Sequence, residues 1–179
     1  FDNVGILVGN PNAPVRRIAV CLDVTRDVVI RAAENECDLI VSHHPVIFDP
    51  LKSVNKGSIV YRLIESEISV ISAHTNLDMA INTGVNLCLA NTLELQNITF
   101  YEGEFVVSGT LKEEMTAEAF AKFAKEKLGA QAVSCTVKDK LIKNVFMCSG
   151  AGGSEFMKAV LAAIHEESVR QQIVILNQK

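Results

Sequence analysis

Residues 38–45 read Asp-Leu-Ile-Val-Ser-His-His-Pro, and the predicted sheet is organised around them. Its apolar, β-branched centre predicts a short buried strand, and the proline that follows cannot continue a ladder. The strand therefore delivers His43 and His44 at its carboxyl end. Adjacent side chains of a regular strand point to opposite faces, so two histidines directed at one site require the chain to leave β geometry here. Pro45 fits such a break, because it restricts His44 to extended or turn conformations.

The residues upstream of this strand predict another strand and a helix. Residues 17–22 form an apolar run that ends at Asp23, and residues 24–35 have the spacing of an amphipathic helix, with Asp23 or Thr25 as its N-cap. Two near-continuous apolar strands separated by one helix are typical of a parallel pair. Because ligands bind at the carboxyl ends of such strands, Asp23 and the two histidines mark a candidate site.

The same pattern repeats downstream of the histidines. After an irregular connection, residues 57–67 predict a helix, and residues 68–72 predict a further strand that runs into His74 and Asp78. If the strands are neighbours in one sheet, three of the four histidines and a carboxylate gather at one edge. His74 lies four residues before Asp78, and this spacing leaves open whether it binds a metal, supports a ligand or acts as a general acid or base.

The residue types at this edge suit a metal, although the pattern alone leaves an alternative. Neutral imidazoles and carboxylates are natural ligands of zinc, iron and manganese. Adjacent histidines at a strand end also occur as hydrogen-bonded core or turn residues. A similar choice applies to the glycine-rich residues 150–154, which fit either an anion-binding turn before a helix or a tight connection. They lack the full dinucleotide spacing and the Walker lysine.

The pattern of predicted elements changes near Asn97. Residues 101–148 predict a small α+β subdomain, whereas residues 1–100 together with 149–179 predict a metal-binding α/β domain. The elements predicted in the subdomain are strands at 105–110, 133–137 and 144–148 and a helix at 116–128.

The composition narrows the class of protein. The chain of 179 residues is 49% hydrophobic and 21% charged, as is usual for a globular domain. Its net charge of -4 and its lack of basic clusters argue against a dedicated nucleic-acid surface. No apolar run reaches the roughly 18 residues of a membrane span, so we expect a cytoplasmic protein without membrane contact. The five cysteines are scattered, without a C-x-x-C pair, which argues against thiolate zinc sites and disulfide frameworks.

Several short motifs follow one another along residues 1–163. They are Asp2-Asn3-Val4-Gly5 with Gly9, Leu22-Asp23-Val24-Thr25, Asp38 to Phe48, His74-Thr75-Asn76-Leu77-Asp78, Gly84-Val85-Asn86 and Gly150-Ala151-Gly152. In this order they resemble the Nif-three-like family, also called GTP cyclohydrolase I type 2 homologues. The resemblance implies an α/β fold with mixed sheets, helices on their faces and two intertwined α/β subdomains. It also implies a homo-oligomer, a toroidal hexamer with the metal sites facing an inner cavity.

The resemblance further implies two neighbouring divalent metal ions, for which the residue types favour zinc, iron or manganese. The position of His74 fits a catalytic general acid or base if it faces the metal without binding it. The implied metal ligands are His43, His44, Asp78, His165 and Glu167, with Glu166 as the alternative to Glu167. The family's Gly-His-x-x-x-Glu motif is not recognisable, because Ala163 stands four residues before Glu167. We expect a segment to be omitted near Ala163, and further residues to precede Phe1.

Two classes of function follow from such a site. The first is a metal-dependent hydrolase acting on a small-molecule substrate such as a nucleotide, with GTP ring opening as the activity that the family name suggests. The second is a non-catalytic metal-binding scaffold or regulatory protein that acts through partners. A phosphoesterase or nuclease is a third possibility. Family resemblance does not fix the reaction class, so the choice stays open at this point.

Overall fold

A computed structural model describes residues 2–101, 106–136, 140–150, 157–158, 160–162 and 164. Internal packing divides the chain into two compact units, the first ending at Leu77 and the second beginning at Asp78. The discontinuous domain predicted from residues 1–100 and 149–179 stays a prediction. In the described part of the chain, no helix is long and apolar enough to cross a membrane.

The first unit contains the repeated strand and helix pattern. Its elements are β1 (Gly5–Val8), β2 (Ile18–Cys21), α1 (Arg26–Glu34), β3 (Leu39–Ser42), α2 (Ile59–Glu65) and β4 (Ser69–Ser72), and the short helix α3 (Thr75–Asp78) follows at its end. The sheet has the order β1-β4-β3-β2. Both β2 and β4 pair with β3 in parallel, which confirms the strand-helix-strand interpretation. The first strand is the exception, because β1 runs antiparallel to β4.

Capping residues and a buried stripe explain the two helices of this sheet. The Thr25 hydroxyl accepts from the Val28 amide at the start of α1, and Ser58 caps α2 in the same way. Leu63 of α2 is fully buried against the sheet core, together with Ile40 of β3. The other buried members of this core are Val8, Val24, Val29, Ala32, Val60, Ile68 and Val70. The apolar spacing of residues 57–67 predicts that Ile64 lies on the buried side of this helix, but the prediction is wrong, since Ile64 is 59% exposed.

The second unit is built on an antiparallel sheet. Its elements are α4 (Val85–Thr92), β5 (Gln96–Phe100), β6 (Val107–Thr116), α5 (Ala117–Lys127) and β7 (Leu141–Met147), and the strand order is β5-β6-β7. Residues 133–136 were predicted as a strand, but they have no strand structure. Val133 is 41% exposed, so no burial favours pairing there. The prediction missed β5, whose Ile98 and Phe100 pack on the core of this unit.

The α/β fold class with mixed strand pairing and helices is confirmed by this architecture. Several predicted features near the carboxyl terminus fall on residues that the structure does not describe. They are the candidate ligands His165 and Glu167, the alternative Glu166, and most of the glycine-rich residues 150–154. The apolar run at 173–176, whose composition predicts a strand, also lies outside the described residues.

Candidate metal centre

The two adjacent histidines lie where β3 leaves the sheet. In a parallel ladder, consecutive residues bond to alternate neighbours. Here the amides of His43 and His44 both donate to the β2 side, to the carbonyls of Cys21 and Leu22 at 3.2 and 2.9 Å. This departure from the regular ladder brings the two imidazole rings together, with centroids 5.1 Å apart. The Ser42 hydroxyl fixes the turn, since it donates to the His44 carbonyl at 2.9 Å.

The third histidine reaches the same place from the neighbouring strand. The ladder between β3 and β4 extends by one bond, from the Ala73 amide to the Ser42 carbonyl at 2.9 Å, and His74 follows directly. Its ring centroid lies 5.0 Å from that of His43 and 5.5 Å from that of His44. Each of the three rings offers a nitrogen within 4.8 Å of the others. The structure therefore brings together the three histidines that the strand pattern predicted at one edge.

All three histidines use Nδ1 for a hydrogen bond to an oxygen. The pairs are His43 with the Ala73 carbonyl at 2.9 Å, His44 with Asp23 Oδ1 at 2.7 Å, and His74 with Asp2 Oδ2 at 2.7 Å. A carbonyl or an ionised carboxylate can only accept, so each Nδ1 carries the proton. A neutral ring then has its lone pair on Nε2. This is the tautomer of metal-binding histidines whose other nitrogen is held by an acceptor. The residues present therefore fit a divalent cation.

The two carboxylates of the centre differ in their surroundings. The side chains of Asp23 and His44 are 58% and 45% exposed, whereas those of Asp2 and His74 are 15% and 26% exposed. Asp2 Oδ2 also accepts from the amide of Thr75 at 3.0 Å and from its hydroxyl. Burial raises the pKa of Asp2, but the hydrogen bonds from Thr75 and His74 outweigh burial and lower the pKa to about 2. Asp2 is therefore ionised at neutral pH.

Asp78 is the last residue of α3 and the first residue of the second unit. Its side chain is buried, with 7% exposed. Burial and the nearby charge of Asp78 raise the pKa of the Cys148 thiol in the same unit. The role of Asp78 as a metal ligand stays a prediction. Asn86 also belongs to this unit, and its Oδ1 accepts from the Ser149 amide at 2.6 Å, which ties α4 to the start of the glycine-rich segment.

The sequence interpretation missed the partners of His44 and His74. Asp23 was placed at the correct edge without a role, and Asp2 was noted only as part of a motif. A local signal existed for Asp23, because it ends a strand parallel to β3. No local signal exists for Asp2, which lies 72 residues from His74 in the chain.

The fold and the centre together define a class of protein. It is an α/β protein in which a mixed sheet presents three histidines, their Nδ1 atoms held by acceptors, at the carboxyl ends of its parallel strands β3 and β4. Within that class, the chain belongs to the Duf34/NIF3 (NGG1p interacting factor 3) family, whose model matches residues 1–165. The family membership expected from the motifs is thus confirmed.

The chain is similar to curated proteins that carry a common name. A Helicobacter pylori protein named GTP cyclohydrolase 1 type 2 is 34% identical over 160 residues, which is 87% of this chain and 63% of that protein. A Clostridium acetobutylicum protein named GTP cyclohydrolase 1 type 2 homolog is 31% identical over 172 residues, or 89% of this chain and 64% of that protein. The chain therefore spans less than two thirds of the length of these relatives.

Solved structures share the fold. A hypothetical protein of Staphylococcus aureus has a TM-score of 0.78 and 28% identity, with 90% of this chain and 69% of that chain covered. A Bacillus cereus protein related to NIF3 has a TM-score of 0.75 and 22% identity, with 90% of this chain and 74% of that chain covered. The second likeness concerns the fold alone.

Proposed function

We propose that this chain binds two divalent metal ions, zinc, iron or manganese, and works as a metal-dependent hydrolase related to GTP cyclohydrolase 1 type 2. The observation that supports metal binding is the grouping of three imidazoles whose Nδ1 atoms are all held by acceptors. Histidines that bind a common cation through Nε2 must lie close together and carry the ring proton on Nδ1. Histidines without such a role are not required to meet either condition.

The proposal of two ions rests on the family resemblance. The three histidine nitrogens lie within 4.8 Å of one another, so the imidazoles are close enough to act together as ligands. Neighbouring ions in two-metal sites are about 3.5–4 Å apart. A second ion would need further ligands, and we propose Asp78, His165 and Glu167 for this role.

His74 has two proposed roles in this scheme. The sequence predicted a catalytic general acid or base, and this stays a prediction. Its position within 5.0–5.5 Å of the other two rings, measured between centroids, supports binding of an ion through Nε2 instead. In either role the Asp2 carboxylate holds the proton on Nδ1 and leaves the Nε2 lone pair directed away from it.

The chemistry of the centre suits hydrolysis. Bound divalent ions lower the pKa of water towards neutrality and polarise a carbonyl, imine or phosphoryl group. The residues of this chain supply the arrangement: Asp23 and Asp2 fix the orientation of two imidazoles, and Ser42 holds the turn that directs His43 and His44 to one side. The names of the similar curated proteins support a nucleotide, GTP, as the substrate to test first.

Elemental analysis of the purified protein tests this proposal. We expect about two transition-metal ions per chain, fewer in His44→Ala, and no change in Cys88→Ala, which removes an exposed thiol donor outside the histidine cluster. The loaded protein is then assayed for GTP hydrolysis. Protein that takes up no metal would contradict the proposal. Loaded protein that does not turn over GTP but changes its oligomeric state would instead favour the metal-binding scaffold.

The predicted toroidal hexamer and cytoplasmic location stay predictions. Size-exclusion chromatography with light scattering, run with and without added metal, tests the hexamer in the same preparation.

A further inference from the structure

Two consecutive residues before β1 connect the two loops that carry the histidines. Asp2 accepts hydrogen bonds from the loop after β4, through His74 Nδ1 at 2.7 Å and the Thr75 amide at 3.0 Å. Asn3 donates from Nδ2 to the Ile47 carbonyl at 2.7 Å, in the loop after His43 and His44. We call these two residues the Asp2–Asn3 strap. Their side chains bridge two segments that the sheet and the bond between His43 Nδ1 and the Ala73 carbonyl also connect.

The topology explains why the strap reaches this edge. In the register between β1 and β4, Gly5 lies opposite Ser72, the last residue of β4. Because the pairing is antiparallel, the residues that precede β1 continue past the carboxyl end of β4. They arrive beside the loop that contains His74. A parallel first strand would have placed the same residues at the opposite edge of the sheet.

The sheet alone does not fix the distance between the two loops. Strand pairing holds β3 against β4 up to the bond between Ala73 and Ser42, and the histidines lie beyond it. Past that point, side-chain bonds connect the two loops: the bond of His43 to the Ala73 carbonyl and the two bonds of the strap. The bonds of the strap are partly buried, and movement of one loop relative to the other must break at least one of them.

The hydrogen bonds of Asp2 are distributed unequally between its two carboxylate oxygens. All three of its hydrogen bonds converge on Oδ2, while Oδ1 is buried and has no hydrogen-bond partner in the part of the chain that the structure describes. Leaving a buried carboxylate oxygen without a donor is unfavourable.

We propose that the Asp2–Asn3 strap is a positioning device that sets the separation of the two histidine loops and thereby the affinity of the centre for divalent cations. This inference rests on the proposed function, because it requires the histidines to bind metal. It assigns Asp2 and Asn3 as positioning residues that act through His74 and through the loop of His43 and His44.

Titration with Co²⁺, followed by the visible absorption of the bound ion, tests the inference on the full chain. Loss of groups that orient metal ligands typically lowers metal affinity 10- to 100-fold. We expect about 100-fold weaker binding for Asp2→Asn and about tenfold for Asn3→Ala. The first variant loses the negative charge and replaces a carboxylate, which can only accept from His74, with an amide that can also donate to it. Each variant has a matched control that should stay within about twofold of the wild type.

The controls change the same residue types elsewhere in the first unit. Asp38→Asn removes a carboxylate that accepts from the amides of Arg16 and Arg17, before β2. Asn12→Ala removes an exposed amide in the turn that follows β1. Far-UV circular dichroism confirms that each variant is folded before titration. Should Asp2→Asn fail to fold, Asn3→Ala still tests the strap through its separate bond.

A second readout distinguishes positioning from general stability. Long-range ¹H–¹⁵N correlation spectra of the metal-free protein report which ring nitrogen carries the proton in each of the four histidines. We expect one histidine to lose its Nδ1–H preference in Asp2→Asn and none to lose it in Asp38→Asn. Wild-type protein that does not bind Co²⁺ would overturn the proposed function. Wild-type protein that binds it, with strap variants of equal affinity and unchanged tautomers, would overturn the strap alone.

Discussion

A methyl group added at Gly9 tests whether the close contact of the first strand with β4 is required. Gly9 follows β1 directly and has φ = +103°, a conformation that residues with a Cβ rarely adopt. An alanine Cβ would lie 2.7 Å from both Cα and Cβ of Ser69, the first residue of β4. Because one of these atoms belongs to the backbone, a change of side-chain rotamer cannot relieve the contact.

The expected loss of stability in Gly9→Ala has two parts, and substitutions at two other glycines allow these parts to be measured separately. Backbone strain of this kind costs about 1–3 kcal/mol, and overpacking adds about 1–3 kcal/mol, so Gly9→Ala should lower the free energy of unfolding by about 2–6 kcal/mol. Gly5 has φ = +100° but no atom within 4 Å of its added Cβ, so Gly5→Ala should cost the strain alone. Gly57→Ala should be neutral or slightly stabilising, since it has neither problem.

Urea unfolding monitored by far-UV circular dichroism gives the three free energies. Hydrogen exchange with mass spectrometry shows whether the loss falls on the first unit, where β1 and β4 lie. The expected order of stability is Gly57→Ala, then Gly5→Ala, then Gly9→Ala. Equal stability of the Gly9 and Gly5 variants would refute the steric part of the reasoning. A Gly9 variant as stable as the Gly57 variant would refute both parts.

Three further predictions concern polar groups of the first unit. Asp23→Asn should weaken Co²⁺ binding by about tenfold. This value lies at the low end of the expected range because the side chains of Asp23 and His44 are about half exposed. Unchanged binding in a calorimetric titration would contradict the prediction. Ser42 and Ser72 share a buried hydrogen bond of 2.9 Å. Each alanine variant should therefore lower the free energy of unfolding by about 1–3 kcal/mol, and the double variant should lower it by clearly less than the sum of the two. Additive losses in a double-mutant cycle measured by thermal unfolding would argue against the bond. Hydrogen bonds from two backbone amides lower the pKa of Asp38 in the folded protein. The ionised carboxylate therefore stabilises the fold at pH values above the unfolded-state pKa of about 3.9. This stabilisation is lost as the pH falls through the lower folded-state pKa. Acid unfolding of Asp38→Asn should therefore show a weaker dependence on pH in this range, and identical curves would contradict the assignment.

Local patterns were sufficient to predict the sheet that carries the centre. The apolar runs at 39–41 and 68–72 lie in the buried strands β3 and β4, and the helix before each of these strands starts at a capping residue, Thr25 or Ser58. Parallel pairing follows from the single helix between each pair of strands. Once that is known, the carboxyl ends of the strands identify where His43, His44 and His74 meet, without any knowledge of side-chain contacts.

Features that depend on pairing between residues far apart in the sequence, or on how much of the sheet a helix already covers, could not be predicted in this way. The Ile64 side chain continues the apolar stripe of α2, but the sheet is already covered by Val60 and Leu63, so it stays exposed. The pairing of β1 with β4 joins residues more than sixty positions apart, and an isolated apolar run does not reveal its partner or its direction. The contact of Asp2 with His74 is a consequence of that pairing and was missed with it.

The direction of β1 links the stability prediction to the function of the centre. The strap reaches the histidines only because β1 runs antiparallel along β4, and Gly9 permits the close approach at the other end of that pairing. Displacement of β1 by a methyl group at Gly9 would move Asp2 and Asn3 along with the strand. Gly9→Ala should then weaken Co²⁺ binding although it lies at the opposite edge of the sheet, whereas Gly57→Ala should not. A folded Gly9 variant with wild-type affinity would show that the strap holds the two loops independently of β1, and would assign the positioning to the side-chain bonds alone.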